Sequence, residues 1–133
     1  MTGTKLDMLL DTHIWIRWQL NDLPGHLSEL INQADRLAVS SITCWELGQL
    51  VKKNRIELTL PVKQWVDEAL KPDINVLPLT REVALLAAEL PEHHRDPADR
   101  IIIATAILNK LKLVSLDTKF PLYSELEGLL IAK

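Results

Sequence analysis

The sequence predicts a single α/β domain with a mostly parallel central sheet. Three observations lead to this fold class: short apolar runs alternate with longer amphipathic segments, turn residues such as those at 21–25 separate them, and 47% of the 133 residues are hydrophobic. Strands that alternate with helices form βαβ units, in which right-handed crossovers join parallel strands. A chain of this length buries roughly two-thirds of its unfolded surface. We therefore expect residues 1–133 to form one domain around four to five strands.

The first half of the chain contains two strand candidates and four helix candidates. Leu6–Leu10 and Leu37–Ser40 are short apolar runs, which is typical of buried strands. Ile14 and Trp18 follow the first run at helical spacing, and Pro61 fits the first turn of a later helix because its missing donor is not needed there. The predicted helices are His13–Leu20, Leu27–Ala34, Cys44–Lys53 and Val62–Leu70.

The second half of the chain predicts two further helices and up to three strands. Thr80 is typical of a helix cap and Pro97 of the first helical position. Pro78 marks the exit or the edge of a strand, because proline cannot donate to a sheet. In chain order the predicted elements are strand Asn75–Leu79, helix Arg81–Leu90, helix Ala98–Leu111, strand Lys112–Leu116 and an edge strand Leu129–Ala132.

Four carboxylates stand where predicted strands end or where the next helix begins. They are Asp11, Glu46, Asp99 and Asp117. Because sites in parallel sheets lie beyond the carboxyl ends of the strands, we expect these side chains to converge. Two carboxylates about 4 Å apart repel by roughly 4 kcal/mol at an effective dielectric near 20, so a cluster needs protons or cations. Oxygen ligands select hard ions, and the sequence therefore predicts an Mg²⁺ or Mn²⁺ site suited to phosphodiester hydrolysis.

Each acid also has a purely structural interpretation. Asp11 is a suitable cap for the helix that follows it, and Thr43–Glu46 matches a capping box. Asp96 is a typical N-cap, which places Asp99 in the first turn, where the helix dipole favours an acid by about 0.3–1 kcal/mol. Asp117 occupies a common turn position. Independent caps need not all fall at one sheet edge, so the joint pattern favours a site. We assign Asp99 to the chemistry of this site. Asp96 is assigned first to helix capping, and a metal-binding or indirect role for Asp96 stays open.

The composition narrows the functional classes. A net charge of −3 excludes a strongly basic nucleic-acid-binding domain but is compatible with a metal-dependent nuclease, whose own acids lower the total. The single Cys44 excludes an internal disulfide and a Cys-rich zinc site, which indicates a reducing compartment. No apolar run approaches the ~20 residues of a membrane span, and the polar segment Met1–Lys5 is too short for a secretory signal. We expect a cytoplasmic protein without a membrane association.

Together these segments resemble the motifs of the PIN-domain family, and they most resemble the VapC-type toxins of bacterial toxin–antitoxin pairs. The segments that carry the resemblance are Leu9–His13, Val39–Ser41 through Trp45–Leu47, His94–Arg100 with Ile103–Ala106, and Leu113–Asp117. They occur in the order of the family from about Leu9 to Phe120, which is nearly the whole chain. A single motif is weak, whereas the set is specific.

The resemblance implies a three-layer α/β/α sandwich and an Mg²⁺- or Mn²⁺-dependent endoribonuclease. Asp11 and Asp99 match the principal metal ligands of the family. Glu46 and Asp117 match the acids that complete the site or bind a second ion. The family often has threonine where this chain has Ser115, and the hydroxyl is retained. The resemblance also implies an RNA substrate, a homodimer, and a small antitoxin protein that wraps the toxin and covers its acidic groove.

Several residues beside the acids are candidates for indirect roles or for RNA contacts. They are Thr12, Arg95, Asp96, Arg100 and Ser115. Arg95 and Arg100 suit phosphate oxygens, which arginine binds through two parallel hydrogen bonds. Pairing of these two arginines with the neighbouring acids is an equal alternative.

Three other features receive mainly structural interpretations. The basic run Lys52–Arg55 is interpreted as a solvated helix end, and Trp45, with the other tryptophans, as core or interface packing. His93 and His94 near the acids suggest a general base or a transition-metal site, but a divalent cation activates water unaided, and we favour the cation.

Two other functions fit parts of the pattern. Aspartyl-phosphate phosphatases of the haloacid-dehalogenase type also place an aspartate after an apolar strand, but they need a second aspartate two residues later, where this chain has His13. A non-catalytic α/β protein-binding module needs the acids only as helix caps. Binding of a divalent cation separates the enzyme from that module.

Overall fold

A five-stranded sheet forms the centre of the molecule. The computed structural model describes residues 7–70 and 73–133, and within them every pair of neighbouring strands is parallel. The strands are β1 (Met8–Leu10), β2 (Leu37–Ser40), β3 (Ile74–Leu77), β4 (Lys112–Val114) and β5 (Leu130–Ile131), in the spatial order β3-β2-β1-β4-β5. The parallel α/β sheet predicted from the sequence is confirmed, although Leu6, the first residue of the first predicted strand, lies outside the described residues.

Six helices cover the sheet in the described part of the chain. They are α1 (Thr12–Gln19), α2 (Gly25–Asn32), α3 (Ser41–Lys52), α4 (Val62–Leu70), α5 (Arg81–Glu89) and α6 (Pro97–Asn109). Two short 3₁₀ turns, Phe120–Leu122 and Ser124–Leu126, connect β4 to β5. Among the described residues, no helix has both the length and the apolar character that a membrane crossing requires.

The two faces of the sheet support separate apolar cores. Successive side chains of a strand point to opposite faces, so β1 contributes to both. Met8 and Leu10 belong to the core formed with α1 to α4, where Trp15 packs edge-on against Trp65 with ring centroids 5.4 Å apart. Leu9 belongs to the core formed with α5 and α6. Helices therefore cover both faces, which gives the three-layer arrangement.

The strand order changes direction at β1. From β1 the chain runs outward through β2 to β3, and it then returns to place β4 on the other side of β1. The backbone N–H of Asp11 continues this pairing by donating to the carbonyl oxygen of Val114 at 3.1 Å. In parallel α/β sheets, the crevice beyond such a reversal is where ligands bind.

The helix starts test the predicted caps. Thr80 caps α5 through a bond from the Val83 N–H at 3.1 Å, and Asp96 caps α6 through a bond from the Ala98 N–H at 3.0 Å, as predicted. The capping box at Thr43–Glu46 is wrong. Helix α3 begins at Ser41 rather than Cys44, and the Ser40 hydroxyl caps it by accepting from the Ile42 N–H at 3.2 Å. Glu46 consequently lies in the second turn of α3.

Candidate metal centre

The predicted acids converge beyond the carboxyl ends of β1 and β4. Ligand oxygens of Glu46, Asp96 and Asp99 lie within 4.8 Å of one another. A second group, within the same limit, consists of Asp99, Asp117 and a ring nitrogen of His94. Asp99 belongs to both groups and is therefore the centre of the cluster.

Asp11 is a buried carboxylate that two donors hold in place. It accepts from the backbone N–H of Thr12 at 2.8 Å and from the Ser115 hydroxyl at 2.8 Å. Burial raises the pKa of the Asp11 carboxyl above its ordinary value, and the bond from Ser115 opposes that shift. Asp11 is thus the N-cap of α1 and a member of the acidic cluster at once. Its structural interpretation and its chemical one are both compatible with the geometry.

Glu46 is oriented by a hydroxyl from another part of the chain. The Thr12 hydroxyl donates a short hydrogen bond to the Glu46 carboxylate. Because that bond uses the only proton of the Thr12 hydroxyl, the Thr43 hydroxyl is the donor in the 2.9 Å contact between the two threonines. Burial raises the pKa of Glu46, and the bond from Thr12 opposes the rise. The predicted indirect role of Thr12 therefore has a specific geometry.

Asp99 has the most perturbed carboxyl in the centre. Burial contributes most, and the negative charges of Asp11, Glu46, Asp96 and Asp117 add to it, raising the pKa of Asp99 to about 8. Two of those neighbours, Asp11 and Glu46, also have raised pKa values. Without a cation, Asp99 therefore retains its proton near neutral pH. A divalent ion would relieve the repulsion and allow the whole cluster to ionise.

His94 contacts two of the acids, Asp99 and Asp117, and was predicted only as a less favoured general base or transition-metal ligand. Its Nε2 lies 2.8 Å from Asp117 Oδ2, and its Nδ1 lies 3.4 Å from Asp99 Oδ2. The backbone N–H of His94 donates to the Tyr123 hydroxyl at 2.9 Å, which fixes the residue before α6. The only signal in the sequence is the place of His94 in the segment that leads into α6, since its contact with Asp117 spans 23 residues.

Ser115 links the ends of the two central strands. Its hydroxyl donates to Asp11 and accepts from the backbone N–H of Asp117 at 3.1 Å. One small side chain thus sets the relative position of two acids, which the prediction of a retained hydroxyl at this place only partly anticipated.

The two predicted arginines have different environments. Arg100 donates to four backbone carbonyl oxygens, at Ala88, Leu90, Pro91 and His94, over 2.7–3.3 Å. It therefore holds the connection between α5 and α6 in place, and within the described residues these carbonyls replace the acids with which it was predicted to pair. Its predicted contact with RNA phosphates stays a prediction. Arg95 is exposed and lies two residues before the first residue of α6.

The sequence of this chain is similar to that of a known protein family. The sequence matches the PIN domain over residues 8–126, a range that contains all four predicted acids. The chain belongs to the PIN-domain family. This PIN domain is 37% identical over 115 residues to Ribonuclease VapC22 from Mycobacterium tuberculosis (strain ATCC 25618 / H37Rv), an alignment that covers 84% of this chain and 88% of that protein. The resemblance to the PIN-domain family is confirmed, and membership of this family argues against the haloacid-dehalogenase type of phosphatase.

Two solved structures share the fold of this chain. A crystal structure of VapBC2 from Rickettsia felis bound to a promoter DNA fragment has a TM-score of 0.70 at 21% identity, covering 95% of this chain and 98% of that one. A toxin–antitoxin complex from Klebsiella pneumoniae has a TM-score of 0.64 at 24% identity, covering 93% and 95%. At these identities the structures support the predicted α/β architecture.

Proposed function

We propose that this PIN domain is an Mg²⁺- or Mn²⁺-dependent endoribonuclease that acts as the toxin of a toxin–antitoxin pair. The observation that carries the proposal is the convergence of carboxylates on Asp99, with a pKa raised to about 8. The relative named Ribonuclease VapC22 and the neighbours described as toxin–antitoxin complexes support it. The proposed partners are an RNA substrate, a second copy of the chain and a small cognate antitoxin protein in the cytoplasm.

The donor set fits a hard divalent cation. The group of Glu46, Asp96 and Asp99 offers only carboxylate oxygens, which Mg²⁺ and Mn²⁺ prefer. We assign Asp11 and Asp99 as the principal ligands, with Glu46 and Asp117 as further ligands. Asp96 uses one oxygen to cap α6, so its other oxygen remains available to the centre. When bound, the cation would supply the Lewis acidity that polarises the scissile phosphate, activates water and stabilises the leaving oxygen.

The residues around the acids orient the carboxylates by hydrogen bonds, and the Asp99 carboxyl carries a proton that metal binding would displace. Ser115 and the Thr12 backbone hold Asp11, the Thr12 hydroxyl holds Glu46, and His94 holds Asp117. Such indirect partners orient ligands before the ion arrives. The raised pKa of Asp99 adds a proton exchange, because a carboxyl must be ionised to bind a metal. We therefore expect metal binding to release a proton near neutral pH and to strengthen as pH rises.

Cleavage of total RNA tests the proposed function. The wild-type chain should cut RNA with Mg²⁺ or Mn²⁺ and stop when a chelator is added. Asp99→Asn should lose at least about a hundredfold in rate, which corresponds to about 2.7 kcal/mol of transition-state stabilisation. Asp67→Asn, a change of the same type at an exposed position on α4, should cut like the wild type. Metal-independent cleavage, or wild-type activity in Asp99→Asn, would refute the assignment.

A further inference from the structure

We propose that a groove beside the metal centre binds the nucleotides next to the cleaved bond of single-stranded RNA. In this groove Trp45 stacks on a base, and Lys53 and Arg55 bind phosphates. We call this surface the Trp45 groove. The inference deepens the proposed ribonuclease function and rests on it.

The Trp45 groove and the metal centre share residues. The groove is a cavity of about 280 Å³, and two of its lining residues, Glu46 and Asp96, belong to the acidic cluster. Trp45, Lys53 and Arg55 also line it. A chain of nucleotides whose scissile phosphate reached the acids would therefore continue into this cavity.

Helix α3 sets the length of the groove. Glu46, Gln49 and Lys53 lie at intervals of three and four residues, so they share one side of α3 and its C-terminal end. At about 1.5 Å of rise per residue, Glu46 and Lys53 are separated by about 10 Å along the helix axis. Stacked nucleotides of one strand are spaced by about 3.4 Å, so this interval accommodates roughly three of them.

Trp45 is exposed, unlike the tryptophans of the core. Trp15 and Trp65 are buried against each other, whereas 57% of the Trp45 surface is accessible. In the described structure the predicted core packing is therefore wrong for Trp45, whereas its predicted alternative, packing at an interface, stays a prediction. An exposed indole at the wall of a groove offers a flat face on which any base can stack.

Two cations, Lys53 and Arg55, line the groove together with the carboxylates of Glu46 and Asp96, and the cations favour the phosphates of a strand whose scissile phosphate lies at the acids. Lys53 and Arg55 are both exposed, and neither forms an ion pair with a carboxylate in residues 7–70 and 73–133. A basic pair beside an aromatic ring is the combination that single-stranded nucleic acids bind. Leu50 is the only aliphatic side chain among the lining residues, so the groove lacks the apolar strip that an amphipathic helix of a protein partner would need.

Binding measured without cleavage tests the Trp45 groove. The probe is a fluorescein-labelled eight-nucleotide single-stranded RNA, and its Kd is measured by fluorescence anisotropy in a chelator, where the proposed nuclease is inactive. Trp45→Ala should weaken binding by roughly 5- to 150-fold, the range for loss of one stacked base. Trp45→Phe should retain most of the affinity and Trp45→Leu should behave like Trp45→Ala, because phenylalanine keeps a stacking face. Leu85→Ala, an exposed apolar position on α5, is the control and should bind like the wild type.

Salt dependence tests the two cations separately. Each phosphate contact on a single strand contributes about −0.7 to the slope of log affinity against log salt, so Lys53→Gln with Arg55→Gln should reduce the slope by about 1.4. The matched pair Lys63→Gln with Arg81→Gln removes one lysine and one arginine outside the groove and should leave the slope unchanged. In a chain labelled with 5-fluorotryptophan, the RNA should shift the fluorine resonance of Trp45 and not those of Trp15 or Trp65.

The outcomes separate this inference from the proposed function. RNA cleavage combined with binding that does not depend on Trp45, Lys53 or Arg55 would overturn the groove alone and leave its surface to a protein partner. Binding that depends on all three residues in a chain that never cuts RNA would support the groove and refute the nuclease. An unchanged salt slope or a static Trp45 resonance would also overturn the groove.

Discussion

The acids at the two edges of the central sheet have different surroundings: one edge pairs its acid with an arginine, and the other buries its acids without such a partner in the described residues. At the amino edge, Asp7 pairs with Arg36 at 2.8 Å, and both side chains remain accessible, at 32% and 74%. At the carboxyl edge, Asp11 and Asp99 are largely withdrawn from water, and within the described residues no lysine or arginine pairs with them. Hydroxyls and an imidazole hold the acids there instead. The amino edge thus neutralises its charge with the protein's own cation, whereas under the proposed function the charge of the carboxyl edge would be neutralised by a divalent ion from solution.

A metal titration tests this contrast with the largest expected effect. Mn²⁺ at 100 times its Kd should raise the free energy of unfolding of the wild type by about 2.7 kcal/mol. Asp7→Asn should respond as the wild type does, and Asp99→Asn should respond far less. Thermal unfolding followed by circular dichroism measures both. Equal responses of the two variants would mean that the carboxyl edge is no more a cation site than the amino edge.

Removal of a neutral donor tests how the carboxyl edge is held. Ser115→Ala deprives buried Asp11 of one of its two donors, which should cost about 1–3 kcal/mol of stability. Loss of such an orienting partner should also reduce Mn²⁺ affinity by about 10- to 100-fold. Ser115→Thr keeps the hydroxyl and serves as the matched variant. Calorimetric titration and urea unfolding provide the two values, and an Ala variant with unchanged Mn²⁺ affinity would exclude a positioning role for Ser115.

The dependence of folding stability on pH should show that Asp99 has no cation partner among the described residues in the absence of metal. The pKa of Asp99 in the folded chain, about 8, exceeds its ordinary value of 3.8, so the folded state holds an extra proton between these values. Stability in a chelator should therefore fall as pH rises through this window. Asp99→Asn should flatten the decline, whereas Asp67→Asn should not. Urea unfolding at about pH 5 and about pH 8 makes the comparison, and identical pH profiles for the wild type and Asp99→Asn would contradict it.

The smallest effect is expected at the amino edge. Arg36→Gln breaks an exposed ion pair with Asp7, and such pairs contribute about 0–1 kcal/mol. Mn²⁺ affinity should not change, because this pair lies at the opposite edge of the sheet from the acids. Urea unfolding and calorimetric titration measure both quantities. A marked loss of Mn²⁺ affinity would show that the two edges are coupled.

Local patterns were sufficient to predict the sheet and the place of the acids. Short apolar runs predicted the strands, and the parallel order then required Asp11 and Asp117 to lie at one edge. The start of α3 differs from the predicted one because Ser40 and Thr43 are both suitable caps, three residues apart, and the small preference for serine over threonine was outweighed by the match of Thr43–Glu46 to a capping box. The structure selects Ser40, and Glu46 then receives its hydrogen bond from Thr12, which lies 34 residues earlier.

The remaining errors concern contacts that no local pattern encodes. His94 contacts Asp117, which lies 23 residues later in the sequence. The Arg100 guanidinium donates hydrogen bonds to backbone carbonyl oxygens that are free only because α5 ends there. The exposure of Trp45 depends on which side of α3 packs against the sheet. Each of these contacts depends on tertiary packing. The spacing of apolar residues predicts which side chains pack in the core, but it does not predict the contacts of polar and exposed residues around the site.

The brevity of β1 has a consequence for how this protein tolerates change. Three consecutive residues, Met8–Leu10, supply both apolar layers and are followed at once by Asp11. A slip of one residue would exchange the two layers and carry the carboxylate out of place in the same movement. Under the proposed function, correct packing of this strand and correct placement of the proposed ligand Asp11 would therefore depend on the same register, so an error in one would disturb the other.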